Sequence, residues 1–586
     1  MPPRNQRRPA AAALALVLAG ALCGCSTGAE QAAPGSARAG FAVRPYLQAA
    51  GKTSMVITWT SASSADCVLR YGQGQALDKQ TAVGSPQLIE FAPEPPPAPV
   101  KAAAPEARPA TPPPKQKHYF FSARLADLRP GTTYRYEVAC AGQRAESTFR
   151  TVPDKPEEFT FIAYGDSRTQ PAEHRKVAEC FPKHDPAFIV HTGDMTDRGP
   201  YRQWLPQFFA PLAEVTGRVP IHVTRGNHEG DRDIYWRLFP PPDYWDPLPR
   251  APRGATFSLT PRAEDLHARP GSVLWYSFDY GDAHFTCLDS ASGGKEDQQH
   301  GTESMPEWCA RDLAGSKAKW KIVFYHHPSY DAGTHLCDWG RPDYAPLFRK
   351  HGVDLVLTGH SHGYQRFKPM FTKGENDRHP ITYLVVAGGG ASLHRLERDP
   401  YAAAAEVSDH SYLAATVSGD RFWARVLTPA GREVDRFAIT KKDGQPDAEY
   451  LAGAVPEEGF GALRDAVRPS FKGLELSADP RPGNPLKVKF PLGAGDLAVK
   501  FNLHLHSRSA RDYVMKPETV SGEAPAGGAR EVEFEVRLRK PSDYADPEEK
   551  LPPVTLECEI EIGGRKASLL KSFGYNPPKP PETQGK

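Results

Sequence analysis

FTFIAYGDSR, residues 159–168, decides how the chain is read: an apolar run rich in β-branched and aromatic side chains stops on Gly165 and Asp166. Four later stretches repeat the arrangement: AFIVHTGDMTDRG at 187–199, PIHVTRGNHE at 220–229, KIVFYHHPSY at 321–330 and VDLVLTGHSHGYQR at 353–366. Each apolar run, about four to six residues long, predicts a buried strand. In open α/β sheets, ligands bind in the crevice outside the carboxyl ends of the strands. Asp166, Asp194, Asn227, His326 and His360 all follow such ends, so the fold is expected to bring them together. A lone GD after a strand is ordinarily a turn; five polar motifs in one order are not. His360 and His362 are flanked by Gly359 and Gly363, which predict a loop rather than alternating strand positions.

The residue types fix the chemistry. Carboxylate and amide oxygens with imidazole nitrogens, and no thiolate among them, suit zinc, manganese or iron. Two such ions about 3.5–4 Å apart can share one carboxylate and clamp the attacking and leaving oxygens of an in-line displacement. Asp194 is the natural bridge, because its motif lies between the other ligand loops in sequence.

The order of these motifs resembles the calcineurin-like metallophosphoesterase superfamily, and with the flanking regions its purple acid phosphatase branch, over roughly residues 41–440. The resemblance implies a four-layer αββα sandwich and a two-metal hydrolase of phosphate esters. Position by position, it implies that Asp166, Asp194 and His362 hold one metal and that Asp194, Asn227, His326 and His360 hold the other. His326 rather than His327 fits the family's VxxH, here Val323 to His326. His228, after the metal-binding asparagine, takes the place of the residue that protonates the leaving alcohol or steadies the transition state. A phosphomonoesterase is the first reading. A phosphodiesterase or nucleotide pyrophosphatase is the alternative, and a surface binding protein on a degenerate phosphoesterase scaffold is a rival from another class.

Two positions depart from the pattern. Arg168 stands where the wider superfamily has a histidine, and Asp197 where the purple acid phosphatases have a tyrosine. Asp197 is read either as an oxygen ligand or as a residue orienting its loop through Arg198. Arg168 cannot ligate a metal, but its planar fork suits a phosphate oxygen. His335 and His327 are candidates for substrate contact or for support beneath it, and Tyr364 and Arg366 are expected to pack and pair under the site.

The chain of 586 residues has length for about three or four domains. Its 72 basic and 70 acidic side chains give a net charge of +2, no field for a polyanion, so nucleic acid is not an expected partner. Residues 1–25 read as a lipoprotein signal: Arg4, Arg7 and Arg8, an apolar stretch from Ala10 to Leu22, then Leu22-Cys23-Gly24-Cys25. Lipidation of Cys25 would place the protein, exported, in a bacterial cell envelope, anchored to the outer membrane or cell surface, with residues 26–40 as a tether. Residues 41–153 alternate polar and apolar in short strands, a β-sandwich that resembles a fibronectin type III domain, interrupted by a Pro/Ala-rich insertion at 92–117. The catalytic unit is read as 158–440, with a loop-like aromatic segment at 229–272. ITYLVVAGGG, YLAATVSGD, FWARVLTPAG and VDRFAIT are expected to be the closing antiparallel strands of its second sheet. Residues 465–586 alternate again, a C-terminal β-sandwich of unknown role in which His504 and His506 read as one solvated strand face. Cys67 with Cys140 and Cys309 with Cys337 are candidate disulfides, and Cys287, mid-strand, is expected to be buried and free.

Overall fold

A computed structural model describes residues 40–93, 114–230, 232–240, 275–291, 304–333, 335–374, 379–406, 409–544 and 551–575. The signal segment with Cys25, the tether to residue 39, residues 94–113 of the insertion and residues 241–272 of the aromatic loop lie outside the described residues.

Two seven-stranded sheets form the centre of the molecule. In the first, Ile221–Val223, Phe188–His191 and Glu158–Tyr164 run parallel, so the motifs that follow them leave the sheet at one edge. In the second, Ala283–Cys287, Trp320–Phe324, Leu355–Thr358 and Thr382–Val386 are parallel and deliver His326 and His360. The apolar runs are continuous because both faces of each sheet are covered. Phe161 and Ala163 enter the cluster between the sheets with Phe188, Phe285, Ile322 and Leu357. Ile162 and Tyr164 point the other way, against Val177, Trp204, Phe208 and Leu212 from the helices outside. Val323 and Tyr325 likewise face the helices Met305–Gly315 and Arg341–Lys350 through Leu313, Tyr344 and Phe348. Helix, sheet, sheet, helix gives the four layers of a mixed α/β metallophosphoesterase fold.

The closing strands are placed differently from expectation. Tyr412–Ser418, Arg421–Leu427 and Glu433–Lys442 return to the first sheet, where Leu413 pairs with Ala163 on the free edge of Glu158–Tyr164. Only Thr382–Val386 joins the second, parallel to Leu355–Thr358. Alternation within a strand says which face is buried but not which edge it pairs with.

The N-terminal sandwich consists of two four-stranded sheets around Leu47, Ile57, Trp59, Phe121 and Tyr136. Cys67 and Cys140 face each other across neighbouring strands and form a disulfide. This unit is fastened to the central one: Tyr46 Oη donates to Leu238 O at 2.8 Å, and Tyr136 Oη to Gly217 O at 2.7 Å. Cys309 and Cys337 do not pair. Cys309 is buried in the core under the helix Met305–Gly315, and both are free thiols, as is buried Cys287.

A three-stranded and a four-stranded sheet pack as the C-terminal unit, around Val488, Phe534, Leu503 and Leu556. His504 lies 3.6 Å from Glu557 across that face. Its edge strand Arg565–Phe573 is covered by residues 397–398 of the central unit. Ser568 N donates to Arg398 O and Leu570 N to Glu397, each at 3.0 Å, and Glu397 is buried against Arg464 and Arg468. An otherwise open edge is thereby closed, and the loop carrying His394 is held from behind.

Candidate active site

Three of the converging residues adopt left-handed backbone conformations: Asp166 at φ +56°, Asp194 at +59° and His360 at +69°. Such a conformation costs about 1–3 kcal/mol per non-glycine residue and persists only where the surroundings enforce it. Here they do. Asp166 N donates to Gly193 O, Asp166 O accepts from Ala391 N, and His360 N donates to Asp166 Oδ2 at 2.9 Å. The motif glycines allow this approach: a Cβ on Gly359 would lie 2.6 Å from Asp166 Oδ2. Burial pushes the Asp166 carboxyl up to about 6.

Glu229, to which the sequence assigned no task, holds the centre together. Fully buried, it accepts backbone N–H groups from Asp194 (2.9 Å), Met195 (2.8 Å), Thr196 (3.0 Å) and Gly226 (2.8 Å). Burial and then Asp194 push its pKa up to about 7. Glu229→Gln leaves one acceptor oxygen and turns an NH₂ toward donors. It is expected to weaken metal affinity about 10–100-fold, the usual cost of removing support behind a ligand. Competition with a chelator measures it, and unchanged affinity would contradict the assignment.

Donor atoms of four residues gather around His326 and Asn227. Asn227 Oδ1 lies 3.0 Å from His326 Nε2 and 3.0 Å from His360 Nδ1, and Asp194 Oδ1 lies 3.4 Å from His326 Nε2. His326 Nδ1 is 2.8 Å from Thr192 O, which can only accept, so the ring proton sits there. The pKa of His326 is pushed well below its usual range, chiefly by burial, which leaves the ring neutral with its Nε2 lone pair facing the amide oxygen. The His326 Nε2 lone pair and the Asn227 oxygen, two acceptors turned on one another in a buried site, want a cation between them. Two oxygens and two imidazoles fit zinc, manganese or iron there.

The other expected position differs. Asp166 Oδ1 and His362 Nε2 approach to 3.4 Å, but the Arg168 guanidinium lies against the group. Its Nε donates to Asp194 Oδ2 at 3.0 Å and its Nη2 to His362 Nε2 at 3.2 Å. The fork expected to meet a phosphate oxygen is thus engaged by the ligands themselves. Asp197 lies near cations, 4.0 Å from Arg168 Nη1 and 3.4 Å from Arg198 Nε, so of its two readings the loop-orienting one fits.

His228 stands beside this centre. Its backbone N donates to Asp194 Oδ1 at 3.0 Å, its Nδ1 to Asp197 O at 2.5 Å, and its Nε2 is 3.9 Å from Asp194 Oδ2. The Asp197 loop is set by Gln207, whose Oε1 accepts from Asp197 N at 2.8 Å. Gln207 sits in the widened turn Leu205–Phe209, just after Pro206, the kind of helix distortion often found at functional sites.

A rim of imidazoles surrounds the four donors. The ring of His327 lies 4.5 Å from that of His360, with Nδ1 3.0 Å from Ser290 Oγ; the exposed His335 lies 4.8 Å from His360. His394, unsuspected from sequence, stacks on His362 at 3.8 Å and accepts from His362 N at 3.0 Å. The only hint was the GGG run at 388–390, which lets its loop approach Gly165 and Ser167. Tyr364 and Arg366 pair with Asp435 beneath the site, and Tyr325 Oη bonds Ser329 on the opposite face from His326.

Residues 159–364 match the family model described as calcineurin-like phosphoesterase, and residues 42–151 the one described as purple acid phosphatase, N-terminal domain. The matched stretches are thus those of a calcineurin-like phosphoesterase domain preceded by a purple acid phosphatase N-terminal domain. Its similar proteins include purple acid phosphatase 21 of Arabidopsis thaliana, 29% identical over 278 residues, 46% of this chain and 57% of that one. Acid phosphatase A of Cryphonectria parasitica is 25% identical over 352 residues, 46% of this chain and 69% of that one. A purple acid phosphatase from yellow lupin seeds, solved as a structure, is 18% identical, covering 70% of this chain and 75% of that one with a TM-score of 0.48. The match to the Arabidopsis protein thus spans little more than half of that protein's length.

Proposed function

We propose that the chain is a metal-dependent phosphoric ester hydrolase acting first on phosphomonoesters. The observation that carries this reading is the approach of His326 Nε2 and His360 Nδ1 to Asn227 Oδ1, and of Asp194 Oδ1 to His326 Nε2, beside His228. Those four residues would hold a metal ion, which would supply a water ionised near neutral pH and a Lewis acid for a phosphoryl oxygen. The chain's own residues do the rest. Glu229 fixes the loops that aim Asp194 and Asn227. His228, with its Nδ1 proton given to Asp197 O, keeps Nε2 for exchange with the leaving oxygen. His327 and His335 offer ring nitrogens from the rim to the non-bridging oxygens of the ester. A monoester carries more such oxygens than a diester, which is why the imidazole rim favours it.

The test is turnover of an aryl phosphate and the matching diaryl phosphate by the full chain loaded with zinc or manganese. Faster hydrolysis of the monoester, lost on chelation, is expected. Tight metal binding without turnover of either ester would replace this reading with that of a binding protein on a phosphoesterase scaffold.

A further inference from the structure

We propose that the centre is mononuclear: the guanidinium of Arg168 is the permanent cation of the first position, and only the position walled by Asp194, Asn227, His326 and His360 takes a metal ion. The inference rests on the hydrolase reading and concerns how its charge is distributed.

The argument is one of lone pairs. His362 Nδ1 lies 2.7 Å from Ser392 O, a carbonyl that can only accept, so the ring proton is on Nδ1 and the Nε2 lone pair faces the centre. That lone pair, the one a metal would use, meets Arg168 Nη2 at 3.2 Å. A guanidinium has five N–H donors and no acceptor, so the contact has one polarity. On the far side Asp194 Oδ2 receives Arg168 Nε at 3.0 Å. A metal ion would need both atoms at about 2.0–2.2 Å, and the fork holds both. Asp166, the third donor of that position, is further committed to His360 N through both oxygens, at 3.1 and 2.9 Å.

Nor is the arginine a loosely placed surface group. Its side chain is 14% exposed, and Asp197 flanks Nη1 at 4.0 Å. At the other position the donors face one another with, among the described residues, no protein cation between them: Asn227 Oδ1 is 3.0 Å from both histidine nitrogens. One half of the centre has its cation built in; the other half wants one. Asp194 is shared between the two, as a bridging carboxylate would be. Arginine stays charged at any working pH and can stabilise charge on a phosphoryl group as a fixed donor, which is the electrostatic part of what a metal does there. It cannot ionise water, so the nucleophile is left to the remaining position.

The experiment counts metal. Protein loaded with manganese and freed of excess ion is expected to hold one equivalent and to give the spectrum of an isolated Mn(II). Arg168→His puts a ligand where the guanidinium was, and is expected to raise the content to two equivalents with an exchange-coupled spectrum. Two coupled ions in the unaltered protein would overturn the proposal. So would an Arg168→His protein that still holds one, since the arginine would then not be what keeps the second ion out. Failure of the hydrolase reading looks different: no turnover at any metal content.

Discussion

Asp194→Ala is expected to abolish turnover and empty the centre of metal together. The residue is fully buried, and both of its oxygens are engaged. Oδ1 is 3.4 Å from His326 Nε2 and accepts from His228 N at 3.0 Å, while Oδ2 accepts from Arg168 Nε at 3.0 Å. Alanine therefore removes a proposed ligand, unfastens the backbone of His228 and leaves a buried guanidinium facing no bridging carboxylate. Charge stabilisation by a metal is worth several kcal/mol. Losing about 4 kcal/mol corresponds to a fall of about 10³-fold in kcat/KM, and the loss of His228 alignment adds to it. Asp194→Asn separates the contributions: it keeps an acceptor for His228 N but not the charge, and is expected to recover little activity. Metal analysis beside aryl phosphate kinetics decides the matter. An alanine variant that keeps its metal and stays within about tenfold of the parent would show that Asp194 is not the shared ligand.

What the sequence disclosed was the part governed by strand physics. Runs such as Phe159–Tyr164 are apolar throughout because Phe161 and Ala163 face one sheet while Ile162 and Tyr164 face helices, and such runs are recognisable without a partner. Their carboxyl ends announced Asp166, Asp194, Asn227, His326 and His360, and the structure brings all five together. Less was readable where the answer depends on an edge or a direction. The hairpin Tyr412–Leu427 has the same period whichever sheet it joins, and only the open edge beside Glu158–Tyr164 settled it. Pairing of Cys309 with Cys337 was arithmetic on cysteines, whereas the helix carrying Cys309 turns it into a core. Arg168 was visible as a departure, but a side chain of that length can aim outward at substrate or inward at ligands. Glu229 and His394 escaped because their partners are backbone groups of distant loops, which leave no mark on local residue pattern.

His228→Ala should leave the metal in place and lower kcat by about 10²–10⁴-fold, the usual worth of a positioned acid. The geometry supports separating the two effects. The four converging donors do not include the His228 ring, whose Nε2 stands 3.9 Å from Asp194 Oδ2, and the backbone N–H that helps hold Asp194 survives the substitution. What alanine removes is an imidazole with a fixed direction: Nδ1 is 2.5 Å from Asp197 O, a group that only accepts, so the proton of that nitrogen is committed and Nε2 alone is free to trade one with the substrate. The ring is 28% exposed, so a leaving alcohol can reach it. If Nε2 protonates the departing oxygen, the loss must depend on how much that oxygen needs a proton. An aryl phosphate with an acidic phenol leaves nearly unaided, whereas an alkyl phosphate does not. The variant is therefore expected to lose far more activity on alkyl than on aryl esters, steepening the dependence of kcat on leaving-group acidity. Equal losses across the series, with metal content intact, would make His228 a group that steadies the phosphoryl oxygens rather than the acid.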